Sequence, residues 1–152
     1  MSHVTAGLTE VSDLAVLKSV ALAMGFTWKD QKTYRFYGEF LDDWGNANEH
    51  LTARARGIDP SEYGKCDACL SLPGCGYDIG ITKNKDGETW RLVWDTWSSH
   101  GLMLSSKVGD NAETIMTEYN REVCRRHAEV QGMTYMEETN QDGDIVVTMT
   151  QY

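Results

Sequence analysis

Two helix-period segments, set among period-2 stretches that fall mostly in pairs around turns, predict an α+β fold with both helices on one face of an antiparallel sheet. The 152 residues suit one domain spanning 1–152, since typical domains run roughly 100–150 residues. Hydrophobic residues at 41% and charged residues at 24% suit a chain that folds and argue against global disorder.

The elements follow in chain order. Residues 4–10 alternate Val4, Ala6 and Leu8 with Thr5, Gly7 and Thr9, the period of a strand. Ser12 is the expected N-cap of a helix over about 13–24, with Asp13 favourable at its positive end. Leu14, Leu17, Ala21 and Met24 form its stripe, Val20 widens it, and Gly25 is the expected stop. The aromatic run 33–40 predicts a second strand. An irregular insert at about 41–63 is expected on the surface, with a short helix near 47–55 before Asp59-Pro60. Residues 66–72 are expected as a strand, ending at Pro73-Gly74. Residues 77–83 and 89–97 predict a hairpin around Asn84-Lys85-Asp86-Gly87. Asp110 or Asn111 is the expected cap of a second helix with the stripe Ile115, Tyr119, Val123 and Val130, ended by Gly132. A closing hairpin, 133–138 with 144–150, turns at Asp142-Gly143. The nearest template to this order is a ferredoxin-like sheet with an extra C-terminal hairpin strand.

Charge narrows the function classes. With 14 Lys+Arg against 23 Asp+Glu, the net charge is -9, which disfavours direct nucleic-acid binding and adhesion to anionic membranes. No apolar run reaches the roughly 20 residues of a membrane span. Neither a leader segment nor a disulfide framework is read from the sequence, so a reducing cytoplasm is expected.

Three groups of residues carry a wider pattern. The first is Met1-Ser2-His3 with the helix from Ser12-Asp13-Leu14 through Leu17 to Gly25. The second is the hairpin Tyr77-Asp78-Ile79-Gly80, Asn84, Asp86-Gly87, Leu92-Val93-Trp94-Asp95 and Trp97. The third is Tyr119, His127, Ala128, Gln131-Gly132, Glu137-Glu138, Asp142-Gly143 and Ile145. The set resembles domain of unknown function family 1257, conserved in plastid and cyanobacterial genomes and with bacteriophage members. The likeness spans nearly the whole chain outside about 27–63, and Gly64-Lys65-Cys66-Asp67 through Pro73-Gly74 looks more like the phage-encoded members. It implies a small cytosolic domain of phage type and carries over no catalytic residue.

Four constellations hold chemistry. Cys66-x2-Cys69-x5-Cys75 places three soft ligands close together, and Cys124 or His127 on the second helix is a fourth for zinc. The plainer alternative is a strand, in which Cys66 and Cys69 point to opposite faces. His3, His100, Asp78 and Asp95 supply the pairs needed for general acid–base work, as in a hydrolase or transferase; the alternative is that both aspartates edge the sheet in solvent. The aromatics, Trp90, Trp94 and Trp97 among them, read as core or as binding anchors. The acidic insert with Asp42, Asp43, Glu49, Asp59 and Glu62 reads as a solvated surface or a docking face.

The leading expectation is a non-enzymatic inhibitor or adaptor that docks onto a basic host or phage protein through Asp42, Asp43 and Glu49, with Trp44 or Trp97 as anchor. The runner-up is a small-ligand or zinc module at the cysteine cluster, and the third is an enzyme using His3, Asp78 and Asp95. Open strand edges add a homodimer as an expected assembly.

Overall fold

Five strands, β1 (Val4–Ala6), β2 (Thr27–Lys29), β3 (Ala68–Ser71), β4 (Asp78–Lys83) and β5 (Trp90–Asp95), pair antiparallel in the order β1-β5-β4-β3-β2. They are seen in a computed structural model that describes residues 3–7, 9–38 and 52–151. Three helices, α1 (Leu14–Ala23), α2 (Ser98–Val108) and α3 (Glu113–Val130), and a hairpin of β6 (Met133–Thr139) with β7 (Ile145–Gln151) complete the α+β architecture.

All three helices serve one face of the sheet. Alternation along the strands turns Leu70, Ile79, Ile81, Leu92 and Trp94 toward Leu17 and Val20 of α1, Leu104 and Val108 of α2, and Ile115 and Tyr119 of α3. The start of α1 is capped by Asp13 rather than the expected Ser12: its carboxylate accepts from Ala15 N at 3.0 Å and Val16 N at 3.3 Å. The Tyr119 hydroxyl accepts the backbone N–H groups of Ser12 and Asp13, tying that cap to α3. Gly25 takes φ +96 just past the helix, the stop expected of it.

Several expectations are corrected. Among the described residues there are three helices, and α2 is the unforeseen one: it has no side-chain cap, and among its buried positions are Gly101 and Ser105, so its apolar stripe is faint. Neither Asp110 nor Asn111 caps α3. Ala112 holds that place at φ 62, and the Glu113 carboxylate instead accepts from the N–H groups of Asp110 and Asn111. Val123 and Val130 are exposed, and α3 buries Ile115, Tyr119 and Ala128. The second strand is Thr27–Lys29; within 33–38 only Thr33 makes a bridge, to Lys65. The closing hairpin adds no strand to the main sheet: among the described residues β6 and β7 pair only with each other, and they pack on α3.

The insert is corrected as well. Its described part, 52–63, lies on the second face of the sheet, where Ala53, Ile58 and Tyr63 join Tyr34, Cys66 and Cys69 over Val4, Ala6 and Val93. The physical reason is that β1 and β5 are apolar on this side too, and bare apolar sheet surface is unfavourable in water. The short helix near 47–55 lies partly outside the described residues; 52 is a bend and 53–57 form turns.

Candidate functional site

The second face is where polar chemistry is concentrated, and its construction starts at Gly80. A Cβ there would sit 2.4 Å from the Tyr34 ring, so only glycine lets Tyr34 lie on the sheet. From Tyr34 the chain crosses the ends of β4 and β5. The β4–β5 register, Gly80 opposite Val93, brings Asp78 and Asp95 to the same end of that hairpin.

Both carboxylates pin the crossing segment. Asp78 accepts the Arg35 backbone N–H (2.9 Å), two bonds from the Arg35 guanidinium (2.8 and 2.9 Å) and the Ser71 hydroxyl (2.9 Å). Burial by itself would raise the Asp78 carboxyl, but the Arg35 and Ser71 bonds outweigh it and hold it below the ordinary carboxylate range. Asp95 accepts from the backbone N–H of Tyr37 (3.0 Å), His3 (2.9 Å) and Trp97 (2.8 Å). Both aspartates are fully buried, so the expectation that they edge the sheet in solvent is corrected. Their oxygens hold the fold together, as buried polar groups with satisfied partners do.

The other predicted site residues are scattered. The His3 ring meets Trp97 edge-on at 5.1 Å. His100 accepts the Gly76 N–H on Nδ1 and lies against Tyr77. Cys66 and Cys69 sit together under the second face, not on opposite faces, because 66 precedes the strand; Cys75 belongs to the helix-covered core. Cys124 and His127 lie on α3. Among the described residues no three His, Cys, Asp or Glu side chains gather closely enough to hold a metal ion. Burial pushes the Cys66 thiol up to about 11 and the Cys69 thiol up to about 12, so both are neutral and unreactive at neutral pH. Asp59 caps the 3-10 turn Pro60–Glu62, and Glu62 pairs with Lys65 at 3.6 Å. Asp42, Asp43, Trp44 and Glu49 lie outside the described residues.

What the sequence does not single out is a cavity of about 480 Å³ between this face and its cover. Tyr34, Ile58, Val93 and Cys66 supply apolar wall, and Glu62 and Lys65 also border it. Thr82 and Arg91, cross-strand partners on β4 and β5, line it together with Gly57, Asp59, Asp67 and Lys83. Arg91 donates from Nη1 to the Arg56 carbonyl at 3.1 Å. Its Nε is buried without a partner, as is the Thr82 Oγ1 beside it. Burial lowers the Arg91 proton affinity. A neighbouring opening of about 520 Å³ shares Arg91 and is bordered by Arg56, Glu10 and Asp86. The visible signal was Arg91 itself, a cation between Trp90 and Leu92 in an otherwise apolar strand.

Among the described residues no helix is long and apolar enough to cross a membrane. In comparisons with family models, curated proteins and solved structures, nothing matches the chain.

Proposed function

We propose that the chain is a binding module for a small organic anion, held in the cavity lined by Thr82 and Arg91. The carrying observation is that two residues lining the cavity, Arg91 and Thr82, each hold a buried polar atom without a partner, Nε and Oγ1. A buried donor left unsatisfied costs roughly 1–3 kcal/mol, and most such groups in folded proteins find partners. An anionic oxygen satisfies both, with a charge-assisted bond from the arginine. Tyr34, Ile58 and Val93 offer an apolar wall to the rest of the ligand, and the volume falls in the usual small-molecule range of roughly 300–1,000 Å³. The acids nearby are engaged: Asp59 with Ser61 N, Glu62 with Lys65, and Asp67 with Lys83 N.

Phenyl phosphate, an anion on an apolar ring, is the probe. Titrated into isotope-labelled protein, it shifts the Arg91 Nε–H and the Ile58 and Thr82 amide resonances to saturation. Arg91→Met weakens binding about tenfold or more, the loss of one hydrogen bond to a charged group. Absence of saturating shifts at millimolar phenyl phosphate sinks the proposal.

The net charge of -9 supports a second reading, docking onto a basic protein through Asp42, Asp43 and Glu49 with Trp44 or Trp97 as anchor. Capture of the chain by an immobilised polylysine peptide then falls with salt and in the variant Asp42→Asn/Asp43→Asn/Glu49→Gln; equal capture by that variant removes the reading. Membership of domain of unknown function family 1257 as a phage-type, cytoplasmic protein stands as a proposal on the residues quoted above. So does the ferredoxin-like relationship: the β1-α1-β2 opening and the helices gathered on one face support it, while β1 at the sheet edge and the self-paired β6–β7 set the chain apart.

A further inference from the structure

The C-terminal hairpin stands outside the main sheet, and none of the residues of its two strands is buried. Two strands alone are marginal in water, and three or more, or a helix beneath, are needed for independent stability. Here α3 lies beneath, mainly against β6. Arg121 and Arg125 of α3 bond Glu137 of β6, and Arg125 lies over the Tyr135 ring. β7 is the outer strand, and its far edge pairs with nothing among the described residues.

Asn140 N donates to Asp144 O at 2.9 Å, so 140 and 144 form a hydrogen-bonded pair at the turn. Hydrogen-bonded and non-bonded pairs alternate along an antiparallel ladder. In the observed register Val146, Thr148 and Thr150 therefore spend their backbone groups on β6. Ile145, Val147, Met149 and Gln151 turn theirs outward.

Edge strands of this kind are normally blunted by a charge, a proline or a bulge. β7, Ile-Val-Val-Thr-Met-Thr-Gln, has no charge and no proline, and it pairs residue for residue with β6 along all seven positions. β6 carries Glu137 and Glu138. In a chain of net charge -9, two copies repel unless they meet on neutral surface, and β7 is a neutral strip seven residues long.

We propose that β7 is a self-association edge, and that two copies pair β7 to β7 across a two-fold axis to make a continuous four-stranded sheet. The outward-facing set must oppose itself, which an axis at Thr148 satisfies: Val147 meets Met149, and Ile145 meets Gln151. Thr148 meets Thr148 in a close, non-hydrogen-bonded pair, and Val146 meets Thr150. No like charges face each other within the paired strands. A basic partner finds no complement on this neutral edge, whereas a second copy finds its own pattern. The inference is independent of the anion cavity, which lies on the main sheet.

Sedimentation velocity of the full chain tests it. The wild type shows a concentration-dependent dimer. Thr148 is exposed, so a changed side chain there leaves the hairpin intact, which matching thermal melts confirm. Thr148→Lys and Thr148→Glu are each monomeric, because like charges then face each other across the axis. Mixed one to one, the two variants recover the dimer. A wild type that stays monomeric through the micromolar range overturns the proposal. So does a dimer indifferent to both variants, or a mixture that fails to re-associate. Phenyl phosphate titration of Thr148→Lys matches that of the wild type, which keeps failure here separate from failure of the ligand reading.

Discussion

The two faces of the main sheet are built by different physics. Toward the helices, Trp94, Leu92, Ile79, Ile81 and Leu70 are buried by non-directional apolar contact, and only Trp94 Nε1 needs a partner, the Ser105 hydroxyl at 3.1 Å. Toward the cover segment, the strands present Gly80, Ser71, Cys69, Asp78, Asp95, Thr82 and Arg91, and two buried carboxylates hold the crossing chain by hydrogen bonds. The first face is closed by apolar packing, with its indole N–H partnered. The second demands specific partners, and any donor left over there is conspicuous. A binding function fits the second face, because a ligand can complete an unfinished set of hydrogen bonds but has nothing to complete in a closed apolar core.

One pair of substitutions tests that contrast most strongly. Trp94→Ala on the helix side is expected to cost about 4 kcal/mol, the usual loss for a fully buried indole, at any pH where the protein folds. Asp78→Asn on the cover side is expected to cost about 2–3 kcal/mol near neutral pH, by weakening bonds to Arg35 and Ser71. Its cost depends on pH. The Asp78 carboxyl is held below its ordinary value, so its contribution is present above the unfolded carboxylate pKa of about 4 and is lost as pH falls through the lower folded value. Urea denaturation near neutrality and again in acid shows the Asp78→Asn penalty shrinking while the Trp94→Ala penalty persists. Equal pH dependence for both variants breaks the distinction between the faces.

The same contrast governs what could be read from the sequence. α1 was legible because its signals are local: Asp13 and Gly25 bracket a periodic stripe. Both hairpins were legible for the same reason, with Asn84 to Gly87 and Asp142-Gly143 as turns between alternating runs. α2 was not, since it starts without a capping side chain and packs Gly101 tightly against the Thr96 backbone instead of presenting a stripe. The aromatic run 33–40 looked like a strand, yet its described part crosses the sheet, where the absent side chain at Gly80 makes room for Tyr34 and Asp78 and Asp95 hold the segment. Asp78 looked like a solvated strand end because its partner Arg35 lies 43 residues away. Arg91 was visible as an oddity, but its unpartnered Nε is a property of burial under a cover contributed by distant parts of the chain.

The smallest effect is the most discriminating for the proposed cavity. Thr82→Val keeps the side-chain shape and removes a hydroxyl that is buried without a partner in the ligand-free chain. If Thr82 served stability, its loss would lower the melting temperature. Removing an unsatisfied buried group while preserving volume is instead expected to be neutral or to stabilise by up to about 1 kcal/mol. Phenyl phosphate binding is expected to weaken several-fold in the same variant, because the hydroxyl donates only when an acceptor enters. Stability and affinity then move in opposite directions, as they do where a site is kept at the expense of the fold. A destabilised Thr82→Val that binds phenyl phosphate as the wild type does assigns the hydroxyl to structure and leaves the binding reading resting on the Arg91 Nε–H.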